Sequence, residues 1–364
     1  MKSIYNRPFP PKLTSLYNEE LANKLAETHG AISSLNQMSY LLHNPSLLMR
    51  PILGKEAESS AQLEGTQASI EDAYKIDITD QSPEKRDEAI EIRNYEEAML
   101  TGLEILKKTD FTPLLIREVH KTLLKGVRGE KKHPGEYRTG DVWIGPQGTT
   151  KEQARYLPPD ATQIPELMDQ LHKFIKNRRD IHPLLACGII HYRFEAIHPF
   201  EDGNGRTGRL LISLYLISQG LLTLPILYPS GYFEKNKDLY TSALSKVDEN
   251  EDWYNWLLFF LKAMKNQAKV SLKVALDIDS LFKEAKKSIE QTKANINLIR
   301  GLEYAFIRPI ITAPILNKAT NIPKTSCERY LKTLVDKNIL IDIGIHKKQK
   351  VYANHRLLNI LKNI

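Results

Sequence analysis

The chain of 364 residues is longer than one hydrophobic core commonly uses, which predicts two or three domains. With 41% hydrophobic and 26% charged residues, its composition is that of a soluble globular protein and excludes a collagen-like or wholly disordered chain. The net charge of +7 lies entirely in residues 301–364, which contain 11 Lys and Arg against 4 Asp and Glu. A basic segment after a neutral body predicts an anionic partner, most often nucleic acid, and the alternative is a solvated lysine-rich surface.

The sequence predicts neither a membrane segment nor a covalent framework. The longest apolar run, Leu210 to Ile217, is far shorter than the roughly 18 residues that span a bilayer. The first residues lack the apolar segment of a signal peptide, so we expect a cytoplasmic protein without membrane association. Cys187 and Cys327 have no close Cys or His partner, so neither a disulfide nor a thiolate zinc site is predicted.

Residues 1 to about 95 are predicted to be a helical region. Asn18 to Thr28 and Ala89 to Leu106 repeat apolar residues at helical spacing. Asn44-Pro45 and Pro51 predict breaks between these helices.

The helical pattern continues from about 96 to 262, the second predicted domain, with one insertion of a different kind. Glu136 to Tyr156 contains Val142, Trp143 and Ile144 before a Gly145-Pro146-Gln147-Gly148 turn, which predicts a small β-hairpin. Residues 263–295 are rich in lysine and have sparse apolar residues, which predicts a partly exposed connecting helix.

Residues 296–364 are predicted to form three helices and a hairpin. The helices are expected at 296–306, 313–319 and 324–337, and the strands at 339–345 and 349–353. This order resembles a winged helix-turn-helix domain, whose third helix enters the major groove of DNA. The residues expected to reach bases or phosphates are Lys324, Thr325, Ser326, Arg329, Lys347 and Lys348. Winged helices also dock proteins, and the basic charge favours DNA here.

The residues with the clearest chemistry are the twelve from His198 to Arg209, which read HPFEDGNGRTGR between two apolar helices. A glycine-rich loop that enters a helix presents backbone N–H groups to an anion, and Gly203 and Gly205 let the backbone approach a phosphate closely. Arg206 and Arg209, three residues apart, suit a polyphosphate. Asp202 offers an oxygen ligand to Mg²⁺, and His198 can take a proton near neutral pH. These residue types predict a nucleotide-phosphate site with a metal and a general base.

The same run resembles the HxFx[DE]GNGRxxR signature of the Fic family, protein adenylyltransferases that transfer AMP from ATP to a hydroxyl side chain. The segments Gly135 to Arg138, Tyr156 to Pro159 and His191 to Glu195 are also similar to the family. The resemblance implies a mainly α fold: a Fic-type helical bundle with a β-hairpin flap, here followed by a winged-helix domain. It also implies a homodimer, a protein target with a hydroxyl acceptor, and the possibility of self-modification.

The resemblance assigns a role to each position of the signature. It implies that His198 deprotonates the target hydroxyl, that Asp202 holds Mg²⁺, and that Phe200 anchors the loop in the core. It implies that the flap aligns the target segment and that His191 belongs to the core. In related Doc-type kinases a lysine stands at the position of Gly205, so the glycine favours AMP transfer over phosphorylation. The residues expected to contact ATP are Glu64, Ile144, Gly145, Gly203, Asn204, Gly205, Arg206, Thr207, Gly208, Arg209 and Tyr240.

A second motif precedes the signature, at Ser60 to Gly65. It resembles the [ST]xxxE[GN] inhibitory helix of Fic proteins, in which the glutamate pairs with the second arginine of the signature, here Arg209. A helix from about 55 to 65, closed by Gly65, would place Ser60 and Glu64 on one face. The resemblance therefore implies that Glu64 keeps the γ-phosphate of ATP away from Arg209.

Two other functions remain open from the sequence. One is another reaction at the same loop: transfer of a different nucleotide, or removal of AMP with Glu64 positioning a water. The other is a transcriptional regulator in which the Fic domain senses nucleotide and the C-terminal module binds DNA.

Overall fold

A computed structural model of the protein describes residues 4, 7–12, 14, 16–41, 44–145, 148, 150–177, 180–290 and 295–364. The chain is mainly helical, as predicted, with one small antiparallel sheet near its carboxyl end. Among these residues, no helix combines the length and the apolar character needed to cross a lipid bilayer.

The described part of the amino-terminal region contains the α-helices α1 (Glu19–Leu41), α2 (Ser46–Leu63), α3 (Ile70–Lys75) and α4 (Pro83–Leu106). The predicted break at Pro51 is wrong, because this proline lies inside α2. Pro51 and its neighbours Ile52 and Leu53 are buried, and we attribute the continued helix to this packing, which offsets the backbone hydrogen bond that proline cannot donate. The predicted helix at 55–65 is thus the second half of a longer helix.

Six more helices form the central part of the chain: α5 (Pro113–Leu123), α6 (Ile164–Asn177), α7 (Pro183–Ile197), α8 (Asn204–Ser218), α9 (Ser230–Lys235) and α10 (Lys237–Asn250). Nearly every residue of α7 is buried, as expected of a helix that is apolar on all sides. Helices α7 and α8 pack against each other, and the signature loop joins them.

The segment predicted as a hairpin is less regular than expected. It contains one antiparallel bridge, between Ile144 and Tyr156, and no strand in its described residues. The backbone N–H groups of Arg155 and Tyr156 both donate to the Ile144 carbonyl, at 2.8 and 3.1 Å, so the pairing does not extend as a regular ladder. Pro146 and Gln147 of the predicted turn lie outside the described residues.

The predicted connecting helix at 263–295 belongs to a longer element, α11 (Trp253–Glu290). One stripe of this helix, from Trp256 through Phe260 to Ile289, is buried. Helix α11 packs along α1 and against α7, so it is a central element of the core. The lysines that suggested an exposed linker occupy the opposite side of an amphipathic helix.

The C-terminal module, residues 295–364, has the predicted order of three helices and a hairpin: α12 (Ile296–Ile307), α13 (Ala313–Thr320), α14 (Lys324–Asp336), β2 (Ile341–His346) and β3 (Gln349–Ala353). Two elements were not predicted. A short strand, β1 (Ile310–Ile311), pairs with β3 and gives the strand order β1-β3-β2. A final helix, α15 (His355–Lys362), contacts α11.

The C-terminal module is docked on the amino-terminal region. Helix α12 contacts α2, and Arg308 Nη2 donates to the carbonyl of Tyr74 at 2.8 Å. Two lysines of the module, Lys347 and Lys362, form ion pairs with Asp80 at 2.8 Å and Glu71 at 2.6 Å. Helix α2, which ends just before Glu64, therefore contacts α8 and α9 as well as the C-terminal module.

We expect Phe260→Ala to lower the free energy of unfolding by about 3–5 kcal/mol, because this fully buried ring packs against Gly188 of α7 and its removal leaves a cavity. Urea denaturation measures the change. Leu276→Ala, at a half-exposed position of the same helix, is the matched control and should change stability by about 0.5 kcal/mol or less. Equal losses of stability in the two variants would contradict the role of α11 in the core.

Candidate active site

A cleft of about 610 Å³ lies where the signature loop, the end of α2, the flap and α10 meet. The residues predicted to form the site that line this cleft are Glu64, Gly65, Ile144, Gly145, His198, Asp202, Gly203, Asn204, Gly205, Arg209 and Tyr240. Segments far apart in the sequence thus meet at the loop.

Three predicted nucleotide contacts do not line the cleft in this structure: Arg206, Thr207 and Gly208. Arg206 is buried, and its Nη1 lies 3.1 Å from the Glu91 carboxylate on α4. Arg206 Nη2 also lies 3.4 Å from Asp202 Oδ1 at the cleft, so the expectation that Arg206 and Arg209 hold one ligand stays a prediction.

The backbone of the signature loop is held by its own side chains. Phe200 is fully buried, consistent with the predicted anchor. The Asn204 amide accepts the Phe200 N–H and donates to the Phe200 carbonyl, both at 2.9 Å. This side chain, predicted to orient a phosphate, therefore shapes the loop. His198 and Gly203 have φ of +51° and +75°, so the loop turns sharply at both ends.

Arg138 fixes the loop to the flap, a role that we did not predict although its segment resembled the family. It is 3% exposed, and its guanidinium donates to the carbonyls of His198 (2.8 Å), Gly140 (3.0 Å) and Pro159 (2.5 Å). The Arg138 side chain thus connects the backbone of His198, the candidate base, with both ends of the flap.

His198 faces the cleft as a neutral imidazole. Its Nδ1 lies 3.3 Å from the Glu195 carbonyl and donates to it, which leaves a lone pair on Nε2. Burial lowers the pKa of His198 to about 4. The ring is therefore uncharged at neutral pH and can accept a proton at Nε2.

His120 on α5 also contacts the loop, although no motif marked it in the sequence. It is fully buried and stacks on Phe200, with ring centroids 3.7 Å apart and planes 4° apart. Its Nε2 lies 2.8 Å from the carbonyl oxygen of Asp202, and its Nδ1 lies 2.8 Å from the backbone nitrogen of Gly135. Burial lowers the pKa of His120 to about 4, so this ring is neutral as well.

Asp202 is the residue best placed to contact a metal ion. Its carboxylate lines the cleft, and Oδ1 accepts the N–H of Gly203 at 2.6 Å. The described residues contain no group of three or more His, Cys, Asp or Glu that could hold a metal. A single carboxylate nevertheless fits Mg²⁺, which usually binds one or two carboxylates together with substrate phosphates and water.

Arg209 is paired with the end of α2. It is 3% exposed and donates from Nε to Ser60 Oγ (2.9 Å) and from Nη2 to the Ser60 carbonyl (2.8 Å) and Glu64 Oε1 (2.7 Å). Burial raises the pKa of Glu64, but the Arg209 guanidinium outweighs this effect and holds the pKa below its ordinary value. Glu64 is therefore ionised at neutral pH and neutralises Arg209.

Gly205 is the position where the absence of a side chain matters most. A Cβ there would collide with Glu64 Oε1 and lie 2.8 Å from Arg209 Nη1. Any larger residue at this position would displace either the carboxylate or the guanidinium. The pairing of Glu64 with Arg209 therefore depends on this glycine.

Helix α2 is anchored by a buried carboxyl two turns before Glu64. Glu56 accepts the Tyr95 hydroxyl at 2.9 Å and both the backbone N–H (2.9 Å) and the hydroxyl (2.5 Å) of Ser230. Burial raises the pKa of Glu56 to about 7. Sequence reasoning missed this contact because the three residues lie far apart in the chain.

The aromatic end of the cleft is built around His191, which is buried as predicted. Its Nδ1 donates to the Gly208 carbonyl at 3.2 Å, and its Nε2 accepts the Tyr240 hydroxyl at 2.8 Å. Burial lowers the pKa of His191 to about 3, so it is a neutral structural group. Tyr240 is 5% exposed and is held by this bond at the edge of the cleft.

Two family profiles match the chain. The profile described as Fic/DOC family matches residues 110–216, and the profile described as Fic/DOC family N-terminal matches residues 22–104. A probable protein adenylyltransferase of Aquifex aeolicus is 28% identical over 182 residues, which cover 46% of this chain and 53% of the relative. A protein adenylyltransferase Fic of Aedes aegypti is 25% identical over 257 residues, or 69% of this chain and 47% of the relative. The chain thus spans about half the length of these relatives.

Solved structures share the fold. The match to the crystal structure of a Fic family protein from Desulfovibrio desulfuricans covers 93% of this chain and 96% of that protein's chain, with a TM-score of 0.59 at 21% identity. A signaling protein from Bacteroides thetaiotaomicron that contains a Fic domain covers 69% of this chain and 96% of its own, with a TM-score of 0.53 at 20% identity.

We expect His198 to stay neutral as the pH falls from 7 to 5, because burial lowers its pKa to about 4 and protonation begins only near that value. NMR of protein with ¹⁵N-labelled histidine rings follows the titration, and the spectrum of His198→Asn identifies the signal. A midpoint near the ordinary value of about 6.5 would contradict the buried, neutral state.

Proposed function

The chain belongs to the Fic/DOC family, and from this premise we propose that it is a protein adenylyltransferase held inactive by Glu64. Its substrates are ATP and a hydroxyl side chain of a protein, and its products are the AMP-modified protein and pyrophosphate. The single observation that carries the proposal is the pairing of Arg209 with Glu64 beside a neutral histidine in one cleft.

The neutral imidazole supplies the base. Nε2 of His198 takes the proton of the target hydroxyl, and the hydroxyl oxygen forms a bond to the α-phosphorus of ATP. The bond between that phosphorus and the bridging oxygen breaks, and pyrophosphate leaves with the electron pair. A base that is uncharged at neutral pH is ready for this step without prior loss of a proton.

The beginning of α8 supplies the charge stabilisation. Gly203, Asn204 and Gly205 line the cleft at the positive end of this helix. Their backbone amides suit the α-phosphate, which would replace Asp202 Oδ1 at the Gly203 N–H. Arg209 suits the terminal phosphates. Asp202 would hold Mg²⁺, which when bound neutralises phosphate charge and assists departure of pyrophosphate.

Autoinhibition follows because Glu64 and a terminal phosphate of the nucleotide compete for the guanidinium of Arg209. Glu64 occupies the Nη2 group of Arg209, so a terminal phosphate can reach this guanidinium only after the carboxylate leaves. A nucleotide bound without that contact would present its α-phosphate in another position, out of line with the attacking hydroxyl. The inhibited state therefore blocks transfer without closing the cleft.

We expect Glu64→Gly to increase AMP transfer about tenfold or more, because the variant frees Arg209 for the terminal phosphates. Transfer of label from α-labelled ATP onto protein, and intact-mass analysis for self-modification, measure the effect.

Two controls accompany this experiment. Gln62→Ala changes a neighbouring side chain in the last turn of α2 without weakening the helix or removing the ion pair, and should not activate the enzyme. The double variant Glu64→Gly, His198→Ala should bind ATP but lose transfer. An unchanged rate in Glu64→Gly would remove the inhibitory role of Glu64, and persistent transfer in the double variant would remove His198 as the base.

Two related activities of the same residues must be distinguished from AMP transfer. In one, the same residues transfer another nucleotide. In the other, Glu64 positions a water that removes AMP from a modified target. A comparison of labelled nucleotides tests for transfer of a nucleotide other than AMP. An assay of pre-modified protein with the wild-type chain tests for removal of AMP. We propose that the protein acts in the cytoplasm.

We also propose that the C-terminal module is a winged helix that binds DNA. Lys324, Thr325 and Arg329 are exposed along the beginning of α14, and Ser326 beside them is half-buried. Lys347 and Lys348 form the exposed tip of the β2–β3 hairpin. Lys347 pairs with Asp80, so DNA would have to displace this carboxylate. An exposed pair of this kind contributes little stability and does not prevent the exchange.

We expect duplex DNA binding that weakens with salt, and a double variant Lys324→Ala, Arg329→Ala that binds at least about tenfold more weakly. The slope of log K against log salt should fall by about two, because each of the two cations neutralises one phosphate. Fluorescence anisotropy measures both quantities. Lys107→Ala, at the exposed lysine that follows α4, is the control. The same affinity and slope in wild type and double variant would contradict the assigned surface.

A further inference from the structure

We propose that His120 is a positioning residue for AMP transfer, which sets the direction of the peptide bond between Asp202 and Gly203. The inference rests on the proposed function and adds a residue outside the signature to it. His120 does not line the cleft, so it acts through the loop and not by contact with the nucleotide.

Three segments meet at this imidazole. Its ring stacks on Phe200, its Nε2 lies 2.8 Å from the Asp202 carbonyl oxygen, and its Nδ1 lies 2.8 Å from the Gly135 nitrogen. A backbone N–H can only donate and a carbonyl can only accept, so Nδ1 must carry the lone pair and Nε2 the proton. The contact with Gly135 therefore fixes the tautomer that His120 needs to hold Asp202.

The direction of this peptide matters for an anion. In a trans peptide the C=O and N–H groups point to opposite sides. While His120 holds the Asp202 carbonyl, the Gly203 N–H must point away from His120, where it now donates to Asp202 Oδ1 at 2.6 Å. Gly203 lines the cleft, so a phosphate that takes the place of Asp202 Oδ1 would accept this N–H.

Gly203 makes the same peptide easy to turn over. Its φ of +75° is accessible because glycine has no Cβ, and glycine adopts negative φ equally well. A reversed peptide would direct the Asp202 carbonyl oxygen toward the phosphate and replace an attraction by a repulsion. The bond from His120 and the bond from the Gly203 N–H to Asp202 Oδ1 both favour the present orientation, and only the bond from His120 ties the peptide to α5.

Two substitutions separate positioning from packing, each made in the Glu64→Gly protein. His120→Gln places an amide nitrogen near the position of Nε2 and keeps the donor to Asp202. His120→Asn places an amide oxygen near the position of Nδ1 and keeps only the acceptor for Gly135. Each variant loses the stacked ring and one of the two buried hydrogen bonds, so their losses of thermal stability should be similar.

We expect His120→Asn to lower kcat for AMP transfer by about 10- to 100-fold, with a smaller change in the KM for ATP, because a misdirected amide affects alignment more than binding. His120→Gln should retain several times more activity than His120→Asn. Equal kcat in the two variants, at equal thermal stability, would overturn the positioning role and leave His120 as a packing residue.

A second measurement needs neither nucleotide nor metal. NMR of histidine-labelled protein at neutral pH should show His120 protonated at Nε2 and not at Nδ1. The opposite tautomer, or a charged ring, would overturn the inference directly. Absence of transfer by the Glu64→Gly parent would overturn the proposed function and with it the role of His120, whereas equal variants or the wrong tautomer overturn the role of His120 alone.

Discussion

The structure depends on the burial of one positive charge. Arg209 lies on a core helix, almost entirely removed from solvent, and a buried guanidinium without a counter-charge is strongly unfavourable. Ser60 and Glu64 meet this requirement from α2. Any ligand that displaces Glu64 must bring comparable negative charge to the same place. A nucleotide with terminal phosphates does so. In the proposed function, the same electrostatic constraint therefore accounts for both the inhibited state and the selection of the substrate.

A second constraint is the shape of the signature loop before any ligand arrives. The Asn204 amide closes the loop on itself, Phe200 fixes it to the core, and Arg138 and His120 hold its carbonyls from two sides. These contacts hold the loop in one shape, and the residues at the beginning of α8 line the cleft. Catalysis by alignment and charge requires such preorganisation, since little rearrangement is left for the moment of reaction.

The sequence was sufficient for the mainly helical class, for the cluster of polar residues in the cleft and for the order of elements in the C-terminal module. These followed from a dense local motif and from strong periodicity. The sequence was not sufficient where contacts between residues far apart in the chain determine the structure. Pro51 remains in a helix because of burial, and Arg206 pairs with Glu91, which lies more than a hundred positions earlier. His120 and Glu56 act through partners that no local spacing reveals.

The location of Glu64 at the very end of α2 has a mechanical consequence. Glu64 is the C-cap residue, and Gly65 follows with φ of +97°, so the carboxylate sits on the part of the helix that frays most readily. Ser60 lies one turn deeper, and Glu56 secures the helix beyond it. Unwinding a single terminal turn would therefore withdraw the carboxylate while the remainder of α2 stays in place. Release of Glu64 from Arg209 would then be a small, local and reversible motion.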